Sequence, residues 1–448
     1  MNMKVLAPPG RVRVHDYHPS RVAQPAWTYY TEKTLDHIPQ LAHLTDEQRF
    51  EIRVVASVFP FKVNSYVLDT LIDWSDIPDD PIFRLTFPQR EMLGDDDFAR
   101  VAALHGADAP FEAIKAEADR IRLALNPHPA GQTTLNVPTL DGETLHGMQH
   151  KYRETVLFFP AAGQTCHAYC TFCFRWAQFV GIDELRFAAR QTDQLVSYLF
   201  AHPEVTNVLF TGGDPMVMRT AKLAAYVEPL LDPGLESVHS IRFGTKALAY
   251  WPQRFVTDAD ADDLLRLFER VVASGRSVAI MAHMSHYREL ETPIAREAIQ
   301  RIRATGAVIR SQSPVLAHIN DEPGVWELMW REQVRLGIVP YYMFVERDTG
   351  AHDYFKIPLA RALRIYQEAL RRVNGLARTV RGPSMSATPG KIEVTGVTEV
   401  GGEKVFALRM LQGRRPEWAG RLFFARYDKE ATWIDDLVPA FGAERFFF

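Results

Sequence analysis

The chain has 448 residues, of which 47% are hydrophobic and 24% charged, and its formal net charge is −4. The length allows two or three structural units or one large α/β barrel with extensions, and the charge balance excludes a basic surface for nucleic acid. No apolar run approaches the roughly 18 residues of a membrane span, and residues 1–13 lack the apolar segment of a secretory signal. We therefore expect a soluble, cytoplasmic protein that binds neither nucleic acid nor membranes.

Residues 1–148 predict a helical extension that precedes the main fold. Apolar residues at helical spacing predict one helix from Asp46 to Val58, with Thr45 as its N-cap, and a second helix from Pro110 to Leu125. The stretch from 127 to 138 is rich in Pro, Gly and Thr and predicts a linker.

Residues 149–376 alternate short β-rich runs with amphipathic helical stretches. The predicted strands are Thr155–Phe159, Asn207–Thr211, Ser240–Gly244, Ser277–Met281, Ala307–Arg310 and Val339–Phe344. The predicted helices between them are Asp193–Ala201, Asp260–Ala273, Ala295–Ala304 and Gly324–Leu336. A βα repeat of roughly thirty residues is typical of a parallel sheet covered by helices. The fold class is therefore α/β, with a full or partial (βα)6 barrel.

Residues 377–448 do not continue the alternation of strands and helices. Two alternating runs, Lys391–Thr395 and Lys404–Leu408, predict a small C-terminal β-rich cap. The aromatic tail that ends at Phe448 can pack on the cap or on a second subunit, so a homo-oligomer is one expectation.

All three cysteines of the chain, Cys166, Cys170 and Cys173, fall in one loop after the first predicted strand. Three thiolates can hold three irons of a [4Fe–4S] cluster and leave the fourth iron open to a ligand. The alternatives are a zinc site or buried cysteines. A structural zinc ion usually takes four ligands in paired knuckles, and the sequence offers no second cysteine pair.

Polar groups follow the other predicted strands. The Gly212-Gly213-Asp214 turn follows the second strand, His283 the fourth, Gln312 the fifth and Arg347 the sixth. Because functional groups of a βα barrel collect where the strands end, we expect these residues on the same rim as the cysteines. Two adjacent glycines also allow a backbone to approach a ligand closely.

The Cys166-x3-Cys170-x2-Cys173 spacing, with Phe172 before the third cysteine, resembles the signature of the radical S-adenosylmethionine (SAM) enzymes. Over roughly residues 45–395 the chain is similar to the lysine 2,3-aminomutase branch of that superfamily. The segments that carry the similarity are Cys166–Arg175, Leu209–Asp214, Arg242–Lys246, Pro252–Arg254, His283–His286, Ser311–Ser313, Asn320–Asp321, Pro340–Tyr342 and Thr388–Lys391.

This resemblance implies a [4Fe–4S] cluster whose open iron binds SAM, reductive cleavage of SAM to a 5′-deoxyadenosyl radical, and abstraction of a hydrogen atom from a small amino-acid substrate. It also implies a reducing partner such as flavodoxin or ferredoxin. The residues that the resemblance assigns to SAM are Phe172, Gly212, Gly213, Asp214, Lys246, His283 and Gln312. Lys246 stands where the family has an arginine near the carboxylate of SAM.

The resemblance further implies pyridoxal phosphate on Lys391, which follows Pro389-Gly390 on what we expect to be a loop. Two upstream arginines of the family are not matched, because the chain has Lys151 and Arg153 in that region and then a threonine. Phosphate binding wants fixed cationic or backbone donors, so the phosphate partners are not defined by the sequence.

The substrate residues implied by the resemblance are Arg175, for the carboxylate, and Arg347. Lysine-specific relatives have two aspartates for the distal ammonium, whereas this chain has Arg347 at the first position and Ser386 or Ala387 at the second. We therefore expect an amino acid other than lysine, with an acidic or polar end group. The alternatives are a radical SAM enzyme without pyridoxal phosphate, acting in an elimination or epimerisation, and a non-catalytic iron–sulfur or zinc protein.

Overall fold

The computed structural model of this protein describes residues 27–126, 131 and 133–448. Two segments used in the sequence analysis lie outside the described residues. They are residues 1–13, which were compared with a secretory signal, and residues 127–130 and 132 of the predicted linker. None of the helices in the described ranges has the length and apolar character that a membrane crossing requires.

The strands build one large sheet and two small ones. The two small sheets pair β1 with β2 and β3 with β4, and the large sheet has the linear order β15-β14-β13-β12-β11-β10-β9-β8-β7-β6-β5. The strands are β1 Tyr29–Thr31, β2 Lys62–Asn64, β3 Thr139–Leu140, β4 Glu143–Thr144, β5 Met148–Tyr152, β6 Thr155–Phe158, β7 Asn207–Phe210, β8 Ser240–Thr245, β9 Ser277–His283, β10 Val308–Val315, β11 Val339–Val345, β12 Arg381–Ser386, β13 Gly390–Val400, β14 Glu403–Gly413 and β15 Leu422–Arg426.

Helices cross between the parallel strands of the large sheet. The α-helices are α1 Asp46–Ala56, α2 Pro81–Thr86, α3 Asp95–Gly106, α4 Phe111–Ala124, α5 Thr192–Ala201, α6 Thr220–Val227, α7 Ala247–Tyr250, α8 Ala261–Ala273, α9 Pro293–Ala304, α10 Pro323–Arg335, α11 His352–Phe355 and α12 Leu359–Arg371. Strands β6 to β12 pair in parallel in chain order. All six predicted strands are confirmed, and β12 adds a seventh parallel strand.

Hydrogen bonds between strands do not close the described sheet into a full barrel, because its order ends at β5 and β15. The sheet is nevertheless strongly curved. The Lys151 ammonium on β5 donates a hydrogen bond to the carbonyl oxygen of Ala387, which follows β12. Strands far apart in the sheet therefore meet across its inner face.

The C-terminal strands differ from the expected separate cap. Strands β13, β14 and β15 are antiparallel, as the alternating runs predicted, but they continue the main sheet from the free edge of β12. Their apolar side chains form a core with Val345 of β11 and with Leu359 of α12. A parallel strand at an edge offers unpaired backbone groups, and the β13–β14 hairpin satisfies them.

The two faces of the sheet differ in polarity because side chains alternate along each strand. On β8, Ile241 and Phe243 point to the main hydrophobic core under the helices, whereas Arg242 between them does not join that core. On β10, Ile309 and Val315 belong to the core, while Arg310 and Gln312 remain partly exposed. The inner face of the sheet is therefore polar.

The N-terminal extension is helical, as predicted. Thr45 caps α1, because its hydroxyl oxygen accepts a bond of 3.2 Å from the Gln48 amide, and the Gln48 side chain accepts one of 2.9 Å from the Thr45 amide. The predicted second helix is α4. The apolar side chains of the extension share one core with Phe172 and Trp176 of the cysteine loop.

The buried side chain of Arg254 provides a test of the packing in the core. Its side chain is 1% exposed and donates to the carbonyl oxygens of Met216 at 2.8 Å and Met218 at 3.1 Å, and it pairs with Asp260 at 2.8 Å. We expect Arg254→Met to lower the free energy of unfolding by about 3 kcal/mol, because the substitution leaves these buried acceptors without a donor. Urea unfolding followed by circular dichroism measures the effect.

The matched control is Arg266→Met, which removes an exposed ion pair with Asp263 on helix α8. An exposed pair contributes little to stability, so the control should unfold at the urea concentration of the parent protein. Equal midpoints for the two variants would contradict a structural role for Arg254.

Candidate active site

The cysteine loop follows β6 and is held from outside by the N-terminal extension. The Tyr169 amide donates to the carbonyl oxygen of Lys62 in β2 at 2.8 Å. The Thr171 amide donates to the carbonyl oxygen of Leu85 at 3.0 Å, and the Thr171 hydroxyl donates to that of Arg84 at 2.7 Å, both in α2. The extension thus fixes the backbone between the cysteines, a role that its sequence did not indicate.

The thiols of the loop lie in a low-polarity environment. Burial raises the pKa of Cys170 to about 12, and it also raises the pKa values of Cys166 and Cys173 above the usual range. The thiols are therefore protonated without metal, and a metal that binds them must displace the protons. If deprotonated, the three thiolates would repel one another, and a positively charged cluster core would relieve that repulsion.

The donor arrangement fits a cluster better than a single ion. Within residues 27–126, 131 and 133–448, no group of three or more His, Cys, Asp or Glu side chains converges enough to hold one metal ion. In a four-iron cluster each thiolate binds a different iron, so the sulfurs need not converge on one point. His167, the other donor in the loop, contacts the Asp214 carboxylate at 3.2 Å.

Gly212 and Gly213 make room for the cysteine loop. Gly212 has a φ of 125°, and a Cβ atom there would lie 2.2 Å from the Gln164 side chain. A Cβ atom on Gly213 would lie 2.3 Å from the carbonyl oxygen of Thr165, just before the first cysteine. The two glycines therefore allow a close approach to the Gln164 side chain and to the Thr165 backbone, whereas their predicted approach to a ligand stays a prediction.

Asp214 joins three segments of the rim. Its buried carboxylate accepts hydrogen bonds from the Thr245 hydroxyl at 2.8 Å, the Lys246 amide at 2.9 Å and the Met216 amide at 3.0 Å, and it contacts His167. Burial alone would raise the pKa of Asp214, but the His167 contact and the amides outweigh it and lower the pKa. Asp214 thereby holds the cysteine loop against the ends of β7 and β8.

The Lys246 ammonium is neutralised within the protein. Its Nζ lies 2.7 Å from Oε1 of Glu289, and both side chains are buried. The second oxygen of Glu289 accepts from the Ser285 amide at 2.7 Å. The expected place of Lys246 next to the carboxylate of SAM stays a prediction, and Glu289 is a partner that no sequence pattern indicated, since it lies 43 positions away.

Phe172, His283 and Gln312 come together near the cysteines. The rings of Phe172 and His283 are 5.4 Å apart. Gln312 lies within β10 rather than after it, and it pairs with His283 at the end of β9. Burial and the Lys246 charge lower the pKa of His283 well below its usual range, so the imidazole is neutral and can accept a hydrogen bond.

Lys391 is the second residue of β13, opposite Ser386 of β12, and not part of a loop. Its Nζ lies 4.0 Å from the ring centroid of Tyr342 and 5.4 Å from that of Phe344. Burial and the charges of Arg242 and Arg381 lower the pKa of Lys391 to about 7. At neutral pH about half of this amine is therefore unprotonated, which is the form that a nucleophilic lysine needs.

Two cations hold the turn that leads into Lys391. Lys151 donates to the carbonyl oxygen of Ala387, and Arg414 donates to that of Thr388 at 2.7 Å. Burial, assisted by the charge of Arg414, lowers the pKa of Lys151 to about 6. The turn is therefore fixed by side chains from both ends of the sheet.

Arg175 and Arg347 flank one aromatic ring. The guanidinium carbons of Arg175 and Arg347 lie 4.9 Å and 5.3 Å from the ring centroid of Phe174. Nε and Nη2 of Arg347 are buried and have no hydrogen-bond partner among the described residues. Its sequence neighbour Glu346 accepts instead from His352 at 2.9 Å, and Asp348 forms no ion pair with Arg347 within 4.0 Å among these residues.

Comparison with known proteins identifies the family. No protein-family model matches the chain. It is 31% identical over 397 residues to a putative L-lysine 2,3-aminomutase of Aquifex aeolicus, an alignment that covers 88% of this chain and 92% of that protein. It is also 24% identical over 350 residues to the L-lysine 2,3-aminomutase of Bacillus subtilis, covering 78% of this chain and 63% of that protein. The chain belongs to the lysine 2,3-aminomutase family of radical SAM enzymes.

The solved structures that resemble this chain include a radical SAM methyltransferase from Sphaerobacter thermophilus. It is 15% identical, covers 61% of this chain and 90% of that chain, and has a TM-score of 0.37. This likeness is too low to carry an argument. Membership in the family confirms the resemblance drawn from the cysteine motif, and it implies a [4Fe–4S] cluster and SAM.

The glycine turn can be tested through cluster loading. Gly213→Ala places a methyl group 2.3 Å from the Thr165 oxygen, so the cysteine loop must shift. We expect this variant to retain less than about half of the parent's iron after anaerobic reconstitution, because cluster ligands must stay closely placed. Gly324→Ala in α10, where a methyl group meets nothing within 4 Å, is the matched control. Full iron loading in Gly213→Ala would sink this interpretation.

The pKa of Lys391 can be tested in the cofactor-free protein. Only the neutral amine reacts with an acylating reagent, so labelling of Lys391 should reach its half-maximal rate near pH 7 rather than near the ordinary lysine pKa of about 10.4. Peptide mass spectrometry after brief labelling across a pH series measures this midpoint, with exposed Lys33 as the reference. A midpoint for Lys391 near pH 10 would contradict the electrostatic argument.

Proposed function

We propose that this enzyme is an amino-acid 2,3-aminomutase that carries pyridoxal phosphate on Lys391 and acts on an amino acid with an acidic or polar end group. The observation that carries the substrate proposal is the Arg347 guanidinium. Two of its nitrogens are buried without a partner, and a buried donor left unpaired is costly. A substrate carboxylate would satisfy it.

The surroundings of Lys391 fit the pyridoxal cofactor. The amine has a pKa of about 7 and lies over the Tyr342 ring, with Tyr152 on another side at 6.0 Å. Aromatic rings provide the flat, apolar walls that a pyridine ring needs. When bound, pyridoxal phosphate supplies an aldehyde that condenses with amines and a conjugated ring that spreads an unpaired electron.

The substrate would be held at both ends by guanidinium groups. Arg175 would take the carboxylate next to the reacting carbons, as the family resemblance suggests, and Arg347 would take the distal group. Both flank Phe174, which is 40% exposed, so a short amino dicarboxylic acid could reach from one to the other. Two charge-assisted contacts would fix the β-carbon in one place.

Free lysine fits this pocket poorly. Its distal ammonium would meet Arg347 where lysine-specific relatives have an acid, and the second such position is Ser386 or Ala387. The positive charge of Arg175 acts on the same region, since burial and the charge of Arg347 lower the pKa of Arg175 to about 9, which still leaves it protonated at neutral pH. Like charges in a poorly solvated pocket repel each other strongly.

The cysteine side of the site would provide the radical. Cys166, Cys170 and Cys173 would bind the cluster, and Phe172, His283 and Gln312 would line the space beside it. The neutral His283 does not repel a sulfonium ion. A reducing protein such as flavodoxin or ferredoxin would deliver the electron that cleaves SAM. The protein then holds the β-hydrogen of the substrate within reach and excludes water.

An anaerobic screen of amino acids tests the substrate class. With reconstituted enzyme, SAM and dithionite, acidic amino acids should release more 5′-deoxyadenosine than lysine. Arg347→Gln should lower kcat/KM for the best acidic substrate by about tenfold to a hundredfold, because a charge-assisted hydrogen bond contributes about 1.5–3 kcal/mol. Liquid chromatography of the nucleoside and the β-amino acid gives both quantities.

Arg421→Gln is a suitable control, since this residue lies just before β15 and its guanidinium carbon is 4.0 Å from the ring centroid of Phe447. It should leave kcat/KM unchanged. Turnover of lysine at the rate of the best acidic amino acid would refute the substrate proposal. Release of 5′-deoxyadenosine without any β-amino acid product would favour a radical reaction without amino migration.

A further inference from the structure

Three arginines converge on the inner face of the sheet below Lys391. Arg242 lies on β8, Arg310 on β10 and Arg381 at the start of β12. The guanidinium carbons of Arg310 and Arg381 lie 5.2 Å and 5.7 Å from the Tyr341 ring. Arg381 also donates to the Tyr342 hydroxyl at 3.5 Å. Arg310 and Arg381 therefore lie beside one pair of tyrosines, and Arg242 interacts electrostatically with the same pair and with Arg310.

These arginines lack acidic partners. None of the three has a carboxylate within 4.0 Å among the residues that the structure describes. Arg242 donates through Nε to Asn207 at 2.7 Å, which leaves its other nitrogens for a ligand. Glu393 acts on Arg381 only at a distance, because its carboxylate binds Arg409 at 3.0 Å and the Gly382 amide at 3.1 Å.

Lys151 and Arg153, the basic residues in the upstream region where the family has arginines, are not available to bind a phosphate in place of these three arginines. Arg153 is 60% exposed and lies 3.8 Å from Glu154, and Lys151 donates to the Ala387 carbonyl oxygen. Lys391 and Arg381, in contrast, both lie beside the ring of Tyr342. Nζ of Lys391 is 4.0 Å and Cζ of Arg381 is 5.9 Å from its centroid. An aldehyde and a phosphate on neighbouring positions of one small ring would reach two groups that lie beside the same tyrosine.

We infer that Arg242, Arg310 and Arg381 form a binding site for a phosphate group. The phosphate is carried either by the pyridoxal cofactor, in which case the inference rests on the proposed function, or by free inorganic phosphate. Guanidinium groups bind phosphate oxygens in pairs. Arg381 is exposed and Arg310 half-buried, so the site is reached from solvent at the edge where the strands begin.

The experiment titrates the purified enzyme with pyridoxal 5′-phosphate and, separately, with pyridoxal, and follows the visible absorbance of the adduct at Lys391. The variant is the double substitution Arg310→Gln and Arg381→Gln. We expect it to bind pyridoxal 5′-phosphate at least about tenfold more weakly and pyridoxal as the parent does, since about 1.4 kcal/mol corresponds to tenfold. Exposed Arg190→Gln is the matched control and should change neither value.

The second arm uses inorganic phosphate alone. If free phosphate is the ligand, it should raise the pH midpoint of Lys391 labelling in the parent, because a bound anion offsets the charges of Arg242 and Arg381, and it should not do so in the double variant. Binding of pyridoxal 5′-phosphate would then be equal in both proteins.

Each remaining outcome decides a different claim. If both proteins bind pyridoxal 5′-phosphate equally and phosphate leaves the Lys391 midpoint unchanged, the inference is wrong. If the parent forms no adduct at Lys391, the cofactor of the proposed function fails, while the phosphate arm still tests the arginine site. A second variant, Arg310→Lys with Arg381→Lys, keeps the charge and should give an intermediate affinity, which separates loss of charge from loss of fold.

Discussion

Positive charge gathered on the inner face of the sheet is the constraint on which the site depends. Lys151, Arg242, Arg310, Arg347, Arg381 and Lys391 approach that face, and none of them has a carboxylate within 4.0 Å among the described residues. Burial of cations without counter-ions is unfavourable. The protein tolerates it because Lys391 and Lys151 lose their protons more readily, with pKa values of about 7 and about 6. Anionic ligands would remove the remaining cost.

The same charges link the parts of the proposed reaction. A neutral Lys391 is what a pyridoxal aldehyde requires. Burial and, to a smaller degree, the charges of Arg242 and Arg381 lower the pKa of Lys391 and so favour that state. A phosphate bound by those arginines would in turn offset the effect of their charges on the pKa of Lys391. Arg347, at the other end of the site, selects the substrate by the same electrostatic rule.

The cysteine half of the site is organised by hydrogen bonds rather than by unpaired charge. Asp214 binds donors from three segments, Glu289 neutralises Lys246, and the N-terminal extension supplies carbonyl acceptors to the loop. These partners are satisfied inside the protein, so the loop is preorganised before any cluster arrives. On the inner face, two buried nitrogens of Arg347 lack a partner among the described residues, and this face is where we propose that the anionic ligands bind.

Local sequence determined the elements that depend on short-range patterns. The six βα strands, the capped helix α1 and the cysteine spacing could be predicted because periodicity, Thr45–Gln48 capping and ligand spacing act within a few residues. The paired glycines also predicted a close approach. Charged residues that alternate with apolar ones on a buried strand, as in Ile241-Arg242-Phe243, also indicate that one face of the sheet is polar.

The tertiary structure decided what those elements meet. Only the curvature of the sheet brings Lys151 to Ala387, and only long-range packing pairs Lys246 with Glu289 or places Arg381 beside Lys391. It also made the C-terminal strands a continuation of the sheet, since the free edge of β12 is created by the fold. Pairings of this kind join residues far apart in the chain, and their energies depend on burial, which no local pattern encodes.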